Sequence, residues 1–266
     1  MNQWYFNPIL AQIGPVQIHW YGIMYAVAFV VAYLYLHYSK HGKSLPLGED
    51  HKDLFLAFVI GAVLVGGRLG YVLFYNLPYY LQNPLKIFAV WEGGMSFHGG
   101  LLAVAAVTIW FSKKHKIKLF ELSDVECAVA PLGLFFGRLG NFINGELYGR
   151  IAPAGSQLCL YFPNDPQNCR YPSQLFEALF EGLLLFLVLW LVRKKYPKKP
   201  GMVSCAFLFF YGIFRFFIEF FREPDPQIGF FPGGFTEGQL LCFAMILISI
   251  FMGFMIGKQK SSSKKS

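Results

Sequence analysis

Residues 236–256 read TEGQLLCFAMILISIFMGFMI, a stretch in which Glu237 is the sole charged residue. About 20 predominantly apolar helical residues are needed to cross the hydrocarbon core of a bilayer, so this stretch is long enough for one transmembrane helix. Its first residues also mark a helix start, because Thr236 and Gln239 have the S/T-x-x-E/Q spacing of a capping box. The stretch therefore predicts a membrane-spanning helix that begins near Thr236.

Six further stretches have the same apolar character and a comparable length. They cover residues 17–38, 53–75, 94–112, 122–142, 173–192 and 202–221. A second capping box, Ser123-x-x-Glu126, is predicted at the start of the fourth span. The chain is 55% hydrophobic and 14% charged, whereas soluble domains carry about 25% charged residues. These features predict an all-α integral membrane protein with about seven transmembrane helices.

The basic residues are distributed unevenly between the two sides of the predicted helices. Sixteen of the 23 Lys and Arg residues lie in the loops after the first, third and fifth spans and in the carboxyl tail. Only Lys86, Arg150, Arg170 and Arg222 lie on the opposite side. Because cytoplasmic loops carry the excess of Lys and Arg, the amino terminus is predicted outside the cytoplasm and the carboxyl terminus inside it. The net charge of +8 is spread over short loops, which argues against nucleic acid as a partner.

The predicted layout is a single transmembrane domain, residues 1–257, followed by a disordered basic tail, residues 258–266. Within the domain, residues 143–172 are polar and rich in proline, and they are predicted to form a small extracytoplasmic head or lid. This head contains Cys159 and Cys169. They can form a disulfide outside the cytoplasm only if their Cα atoms come within about 7 Å, so the sequence leaves the pairing open.

Three arginines lie inside predicted spans, where each costs about 2.5–3.5 kcal/mol at a helix centre. They are Arg68, Arg138 and Arg215, all in the outer halves of their spans, and Arg222 lies at the same level. One reading is internal ion pairing, because Arg215, Glu219 and Arg222 are spaced to share one helix face. Glu92, Glu146 and Glu223 are further candidate partners. The reading that we favour is an anion site for a phosphate group, since guanidinium groups match phosphate oxygens with paired donors.

The run GRLGNFINGELYGR, residues 137–150, places several polar side chains at the end of the apolar fourth span. Arg138 and Asn141 are three residues apart and so face the same way on a helix. Such a segment cannot face lipid, because its polar groups would lack hydrogen-bond partners there. The run is therefore predicted to line a wet cavity or to pack against protein.

Two other residues are candidates for chemistry. His98 lies among glycines in GGMSFHGGL, residues 93–101, where it is either a hydrogen-bonded structural group or a proton acceptor near neutral pH. Tyr21, in WYGIMY at the outer start of the first span, belongs either to the aromatic belt of the membrane interface or to a polar cavity.

Taken together, six strings of the chain resemble the prolipoprotein diacylglyceryl transferase family. They occur in order and extend over almost the whole chain outside the tail and the centre of the head loop. The strings are HWYGIMY (19–25), GGRLGYVLFYN (66–76), WEGGMSFHGGL (91–101), GRLGNFINGELYGR (137–150), YPSQLFEALFEG (171–182) and YGIFRFFIEFFREPD (211–225).

The resemblance implies a multi-pass enzyme of the bacterial plasma (inner) membrane with its active site toward the outer leaflet. The implied reaction moves the diacylglyceryl group of phosphatidylglycerol to the lipobox cysteine in the signal peptide of a preprolipoprotein. It forms a thioether and releases glycerol phosphate. The residues that match functional positions of the family are His98, Arg222 and Tyr21 as catalytic residues and Arg138, Asn141, Glu146 and Gly149 as substrate-binding residues.

The residues agree with the chemistry that the resemblance implies. A thiol must attack the glyceryl carbon that bears the phosphate ester, and clustered arginines would stabilise the charge of the leaving phosphate. Arg138 and Asn141 are expected to hold the lipid phosphate, and Arg222 to stabilise charge from the opposite wall. His98 is expected to accept the thiol proton, directly or through water. Glu146, or the positive field of the arginines alone, could take over this role.

Two alternatives belong to other functional classes. A transporter or flippase for anionic lipids would also place arginines between helices, but it should show paired inverted halves or helices broken at the midplane. A metal-dependent phosphoalcohol transferase would need clustered acids for Mg²⁺. The sequence has no D-x-x-D cluster near the arginines and no second His or Cys at helical ligand spacing from His98. We therefore expect no metal and no cofactor.

Overall fold

A computed structural model describes residues 6–14, 16–223, 231 and 233–262 of the chain. It is mostly helical, and a helix lies at each of the seven predicted apolar stretches. In chain order the helices are α1 (Trp20–Tyr38), α2 (Lys40–Lys43), α3 (Glu49–Phe74), α4 (Leu77–Gln82), α5 (Phe97–His115), α6 (Leu119–Asn144), α7 (Ser173–Glu177), α8 (Leu185–Lys195), α9 (Met202–Ile218) and α10 (Glu237–Ser262). The segment Ala178–Leu184 is π-helical and joins α7 to α8 in one continuous rod.

Among the described residues, four helical segments are long and apolar enough to cross a membrane. They are Trp20–Tyr38, Glu49–Phe74, Ser173–Lys195 and Glu237–Lys258. A fifth apolar helix, Met202–Ile218, is shorter, at 17 residues. The chain is therefore a mostly helical protein with several candidate membrane spans, as predicted from its hydropathy.

Among the described residues, two short β-hairpins and two 3₁₀ turns accompany the helices, and the chain is mostly helical, consistent with the predicted all-α membrane fold. Strands β1 (Ile9–Ile13) and β2 (Val16–His19) pair antiparallel directly before α1. Strands β3 (Leu160–Phe162) and β4 (Asp165–Arg170) form the second hairpin within the predicted head. The 3₁₀ turns cover Pro84–Phe88 and Val90–Glu92.

A disulfide joins Cys159 to Cys169 in the head, with their Cα atoms 5.3 Å apart. The two cysteines are ten residues apart in the sequence, and the loop that the disulfide closes includes β3 and most of β4. Backbone hydrogen bonds connect the same hairpin to the preceding loop, since the Ala152 N–H donates to the Cys169 carbonyl. The pairing that the sequence left open is therefore made, and it holds a loop that has little apolar core of its own.

The chain divides into two compact units, Met1–Ala32 together with Asp124–Ser266, and Tyr33–Ser123. In the second unit, α3 and α5 approach closely at glycines. A methyl group on Gly70 would lie 2.6 Å from the Gly99 Cα atom. Small residues at helix–helix contacts allow such close approach of two backbones.

Arg68 is also in the second unit, where its buried guanidinium binds backbone carbonyls. Its Nε donates to the Ile87 carbonyl at 2.9 Å and its Nη2 to the Lys86 carbonyl at 2.6 Å, while Nη1 donates to Gly93 and Gly94. Arg68 therefore fixes the segment after α4. The loop carbonyls thus engage all three of its nitrogens, and its predicted part in an anion site stays a prediction.

The first unit contains the helix whose start the sequence predicted at Thr236. The Gln239 N–H donates to the Thr236 Oγ1 at 3.2 Å and the Thr236 N–H donates to the Gln239 Oε1 at 3.1 Å, which confirms the capping box. The other predicted box was wrong: α6 begins at Leu119, so Ser123 lies inside the helix. Helix α10 continues to Ser262, beyond the predicted start of the tail at 258, and residues 263–266 lie outside the described chain.

Candidate active site

The centre of the candidate site is the Glu177 carboxylate, at the end of α7, with 0% of its side chain exposed. Three arginines from different parts of the first unit meet one of its oxygens, Oε2. Arg138 on α6 is 2.8 Å away, Arg215 on α9 is 2.9 Å away, and Arg222, just after α9, is 3.3 Å away. Because a buried carboxylate is costly without partners, these pairs hold both charges in place.

Arg215 has two further carboxylate partners. Its Nη2 lies 2.7 Å from Glu219, and its Nη1 lies 3.3 Å from Glu181. Glu219 also approaches the Arg222 Nε at 3.9 Å and accepts a hydrogen bond of 2.8 Å from the Thr236 hydroxyl. The predicted alignment of Arg215, Glu219 and Arg222 on one face is therefore confirmed.

A chain of polar contacts leads from Arg138 along the GRLGNFINGELYGR run. Arg138 Nη1 donates to the Asn141 Oδ1 at 3.4 Å, and the Asn141 amide nitrogen donates to the Glu146 Oε1 at 2.9 Å. Asn144 donates to the same Glu146 oxygen at 3.2 Å. The run thus packs against protein through its polar groups, which is one of the two arrangements predicted for it.

Backbone hydrogen bonds connect the segment after α6 to two other segments of the chain. The Gly149 N–H donates to the Tyr171 carbonyl and the Arg150 N–H donates to the Phe221 carbonyl, each at 2.8 Å. A Cβ atom on Gly149 would lie 2.3 Å from the Phe221 oxygen, so this position requires glycine. Arg150 adds hydrogen bonds from its guanidinium to the carbonyls of Arg222 and Glu219. The segment that carries Arg222 is therefore positioned by the predicted site run.

The head is connected to the same framework through Arg170, at the end of β4. Arg170 contacts Asp165 and Glu223, donates to the Gly149 carbonyl at 3.3 Å, and lies over the Tyr148 ring. The hydrogen bond from Arg170 holds the pKa of Asp165 below its usual range. Arg170 thus connects the head to the backbone at Gly149.

Tyr21 is close to the arginine-bearing helix. Its ring packs at Gly140, where an added Cβ atom would come within 2.8 Å of the tyrosine ring. Its hydroxyl lies 3.1 Å from the hydroxyl of Tyr25. Tyr21 therefore packs against the helix that carries Arg138 and Asn141. This contact is additional to the aromatic-belt position considered from the sequence.

His98 belongs to the second unit, Tyr33–Ser123. It lies in the first turn of α5, which Ser96 caps by accepting a hydrogen bond from the Gly99 N–H, and its side chain is exposed. The catalytic role expected for His98 stays a prediction.

The sequence reasoning missed Glu177 and Glu181 as the partners of the arginines. It named Glu146, which is two hydrogen bonds removed from Arg138 through Asn141, and Glu223, which contacts Arg170 in the head. The side chain of Glu92 lies outside the described residues. A signal was available, because two glutamates four residues apart in an apolar span are costly enough to indicate a buried site.

Within the described part of the chain, no group of three or more His, Cys, Asp or Glu residues could hold a metal ion. The arginine–glutamate cluster gathers guanidinium groups, which as a chemical class can bind an anion and stabilise negative charge.

Comparison with known proteins identifies the family. The profile of the prolipoprotein diacylglyceryl transferase family matches residues 8–255. This chain belongs to that family. The match includes every residue of the cluster, so the arginines and glutamates described above lie within the domain that defines prolipoprotein diacylglyceryl transferases.

Relatives from several bacteria are similar over nearly the full chain. A phosphatidylglycerol–prolipoprotein diacylglyceryl transferase of Geobacter sulfurreducens is 46% identical over 259 residues, which cover 96% of this chain and 97% of that protein. Proteins of the same name from Chlorobaculum tepidum and Rhodopseudomonas palustris are 46% and 44% identical, over 92% and 93% of this chain and 88% of each relative.

The central position of Glu177 can be tested by stability. Replacing Glu177 with Gln removes the negative charge that three arginines share, and breaking a buried pair in this way costs about 3–5 kcal/mol. Glu121→Gln is the matched control, because Glu121 is 27% exposed and lies 4.0 Å from an exposed lysine; we expect it to cost less than about 1 kcal/mol. The free energy of unfolding in mixed micelles measures both, and equal stabilities of the two variants would contradict the central position of Glu177.

Proposed function

We propose that this protein transfers the diacylglyceryl group of phosphatidylglycerol to the lipobox cysteine of preprolipoproteins, the first step of lipoprotein maturation. The observation that carries the proposal is membership of the family over residues 8–255 together with 43–46% identity to transferases of that name. The buried arginine cluster supports it, because the donor lipid presents an anionic phosphodiester.

The donor phosphate is proposed to bind at the accessible side of the cluster. Arg138 and Arg222 keep 17% and 19% of their side chains exposed, whereas Glu177 behind them is fully buried. Guanidinium groups that are already held in position need little reorganisation when negative charge develops, so they stabilise a transition state effectively. Asn141, which accepts from Arg138, is proposed to complete the phosphate site.

The chemical step is a displacement at carbon. The cysteine sulfur forms a bond to the glyceryl carbon as the bond from that carbon to the phosphate oxygen breaks, and glycerol phosphate leaves with the bonding electrons. The thiol proton must be removed, because the thiolate is the nucleophile and free cysteine has a pKa near 8.5. His98, whose side chain is exposed, is proposed to accept that proton, and Glu146 is the alternative acceptor.

The remaining predicted residues are proposed to shape the site. Gly149 allows the close backbone approach that positions Arg222, and Glu146 orients Asn141. Tyr21 packs at Gly140, one helical turn or less from Arg138 and Asn141, and is proposed to contact the reacting lipid. The reaction as written requires neither a metal nor a cofactor.

The protein is proposed to cross the bacterial plasma membrane seven times, with the amino terminus and the head outside and the carboxyl terminus in the cytoplasm. The 16-to-4 division of basic residues supports this orientation. The Cys159–Cys169 disulfide also supports it, since disulfides persist outside the reducing cytoplasm. The arginine cluster would then lie toward the outer leaflet.

The orientation can be tested by thiol labelling in intact cells. In a variant with Ser at Cys127, Cys205 and Cys242, we expect a membrane-impermeant maleimide to label the protein only after reduction of the remaining disulfide. A control variant without native cysteines and with Lys260→Cys should require permeabilised cells. Labelling of Cys159 and Cys169 only after permeabilisation would reverse the orientation.

The activity can be tested with purified protein in detergent, phosphatidylglycerol and a synthetic lipobox peptide. We expect release of glycerol phosphate that requires the peptide cysteine, survives EDTA, and falls about 10²–10³-fold in Arg138→Ala, as for other lost charge-stabilising donors. Arg193→Ala, which removes an arginine at the carboxyl end of α8, should leave the rate unchanged.

Two outcomes of this assay change the account. If folded protein releases no glycerol phosphate but moves labelled lipid across reconstituted bilayers, the protein is a lipid transporter. If His98→Gln retains the parent rate, His98 is not the proton acceptor and Glu146 takes its place in the scheme.

A further inference from the structure

A second buried acid, Glu181, lies in the π-helical segment Ala178–Leu184, four residues after Glu177. Its side chain is 0% exposed, and the proposed reaction gives it no role. Widened π-helical turns of this kind occur frequently at functional sites, where they change the direction of a side chain. Here the segment turns a second carboxyl group toward Arg215.

Glu181 is the most weakly held acid of the cluster. Its Oε1 lies 3.3 Å from Arg215 Nη1, a nitrogen that is closer to Glu177, at 2.9 Å. Its Oε2 is buried and has no hydrogen-bond partner among the described residues, and the same is true of the Glu177 Oε1. By comparison, Glu177 contacts three arginines, and Glu219 has both Arg215 at 2.7 Å and the Thr236 hydroxyl.

Charged and titratable groups face Glu181 from each neighbouring helix. They are Arg138 on α6, Glu177 on its own helix, Arg215 and Tyr211 on α9, and Cys242 on α10. When two carboxyl groups share a buried site, one of them resists ionisation because of the like charge and the loss of solvent. Three arginines contact Glu177 and one contacts Glu181, so the negative charge of Glu177 is the better compensated of the two.

We infer that Glu181 is protonated in the resting protein and thereby gives the arginine cluster a net charge of plus one. Arg138, Arg215 and Arg222 contribute three positive charges, and ionised Glu177 and Glu219 contribute two negative charges. The inference rests on the proposed function, because this charge complements the single negative charge of a phosphodiester lipid. Glu181 is a positioning residue that acts through Arg215 and does not touch the lipid.

Infrared difference spectroscopy of the purified protein tests the protonation without requiring turnover. The spectrum of the parent minus that of Glu181→Gln should contain the carbonyl stretch of a protonated carboxylic acid at neutral pH. Glu181→Asp, the second variant, should shift this band instead of removing it. A difference spectrum that contains only carboxylate bands at neutral pH would overturn the inference, whether or not the protein proves to be a transferase.

The pH dependence of the KM for phosphatidylglycerol provides a readout that a merely structural role would not change. As the pH rises and Glu181 loses its proton, the cluster loses its net positive charge, so the KM of the parent should increase, by roughly tenfold for one charge acting over a few ångströms in a protein site. Glu181→Gln cannot ionise, so its KM should stay constant over the same range. If the two proteins show the same pH dependence, Glu181 does not set the charge of the site.

Discussion

The arrangement of the first unit depends on one buried anion, the Glu177 carboxylate, and on the three arginines that meet it. An isolated charge at this depth in an apolar span is expensive, and its cost decreases only when opposite charges from neighbouring helices are brought to it. The requirement brings together α6, α7 and the end of α9, since Arg138, Arg215 and Arg222 come from separate parts of the chain. The ion pairs that the sequence suggested are therefore present, and in the proposed function the same arginines, held by the glutamate, also bind the substrate phosphate.

Hydrogen bonds of the backbone around Gly149 connect the arginine–glutamate cluster to the head. Gly149 and Arg150 donate hydrogen bonds to the carbonyls of Tyr171 and Phe221, so the backbone after α6 joins the segment before α7 to the segment that carries Arg222. Arg170 and the disulfide at Cys169 fix the neighbouring strand β4. A glycine is needed because any side chain would meet carbonyl oxygens within 3 Å. The site is therefore built on rigid elements, as a reaction that depends on fixed charges requires.

Local sequence patterns predicted the helices, the Thr236 cap and the shared face of Arg215, Glu219 and Arg222, because each depends on spacing within one helix. The role of Glu177 was not predictable in this way, since it depends on which helices meet. Ser123 was mistaken for a helix start because its S-x-x-E spacing is the same inside a helix that begins earlier, at Leu119. Arg68 and Arg138 share the string GRLG, yet one binds loop carbonyls and the other a carboxylate. Identical local patterns take different roles in different tertiary surroundings.

The most direct test of the central claim is a structure determined with phosphatidylglycerol bound. The account predicts phosphate oxygens within hydrogen-bond distance of Arg138 and Arg222, with Glu177 still contacting the arginines from the buried side. A bound lipid whose phosphate is remote from all three arginines would contradict it. In that case the cluster would hold the helices together without taking part in the binding of the donor.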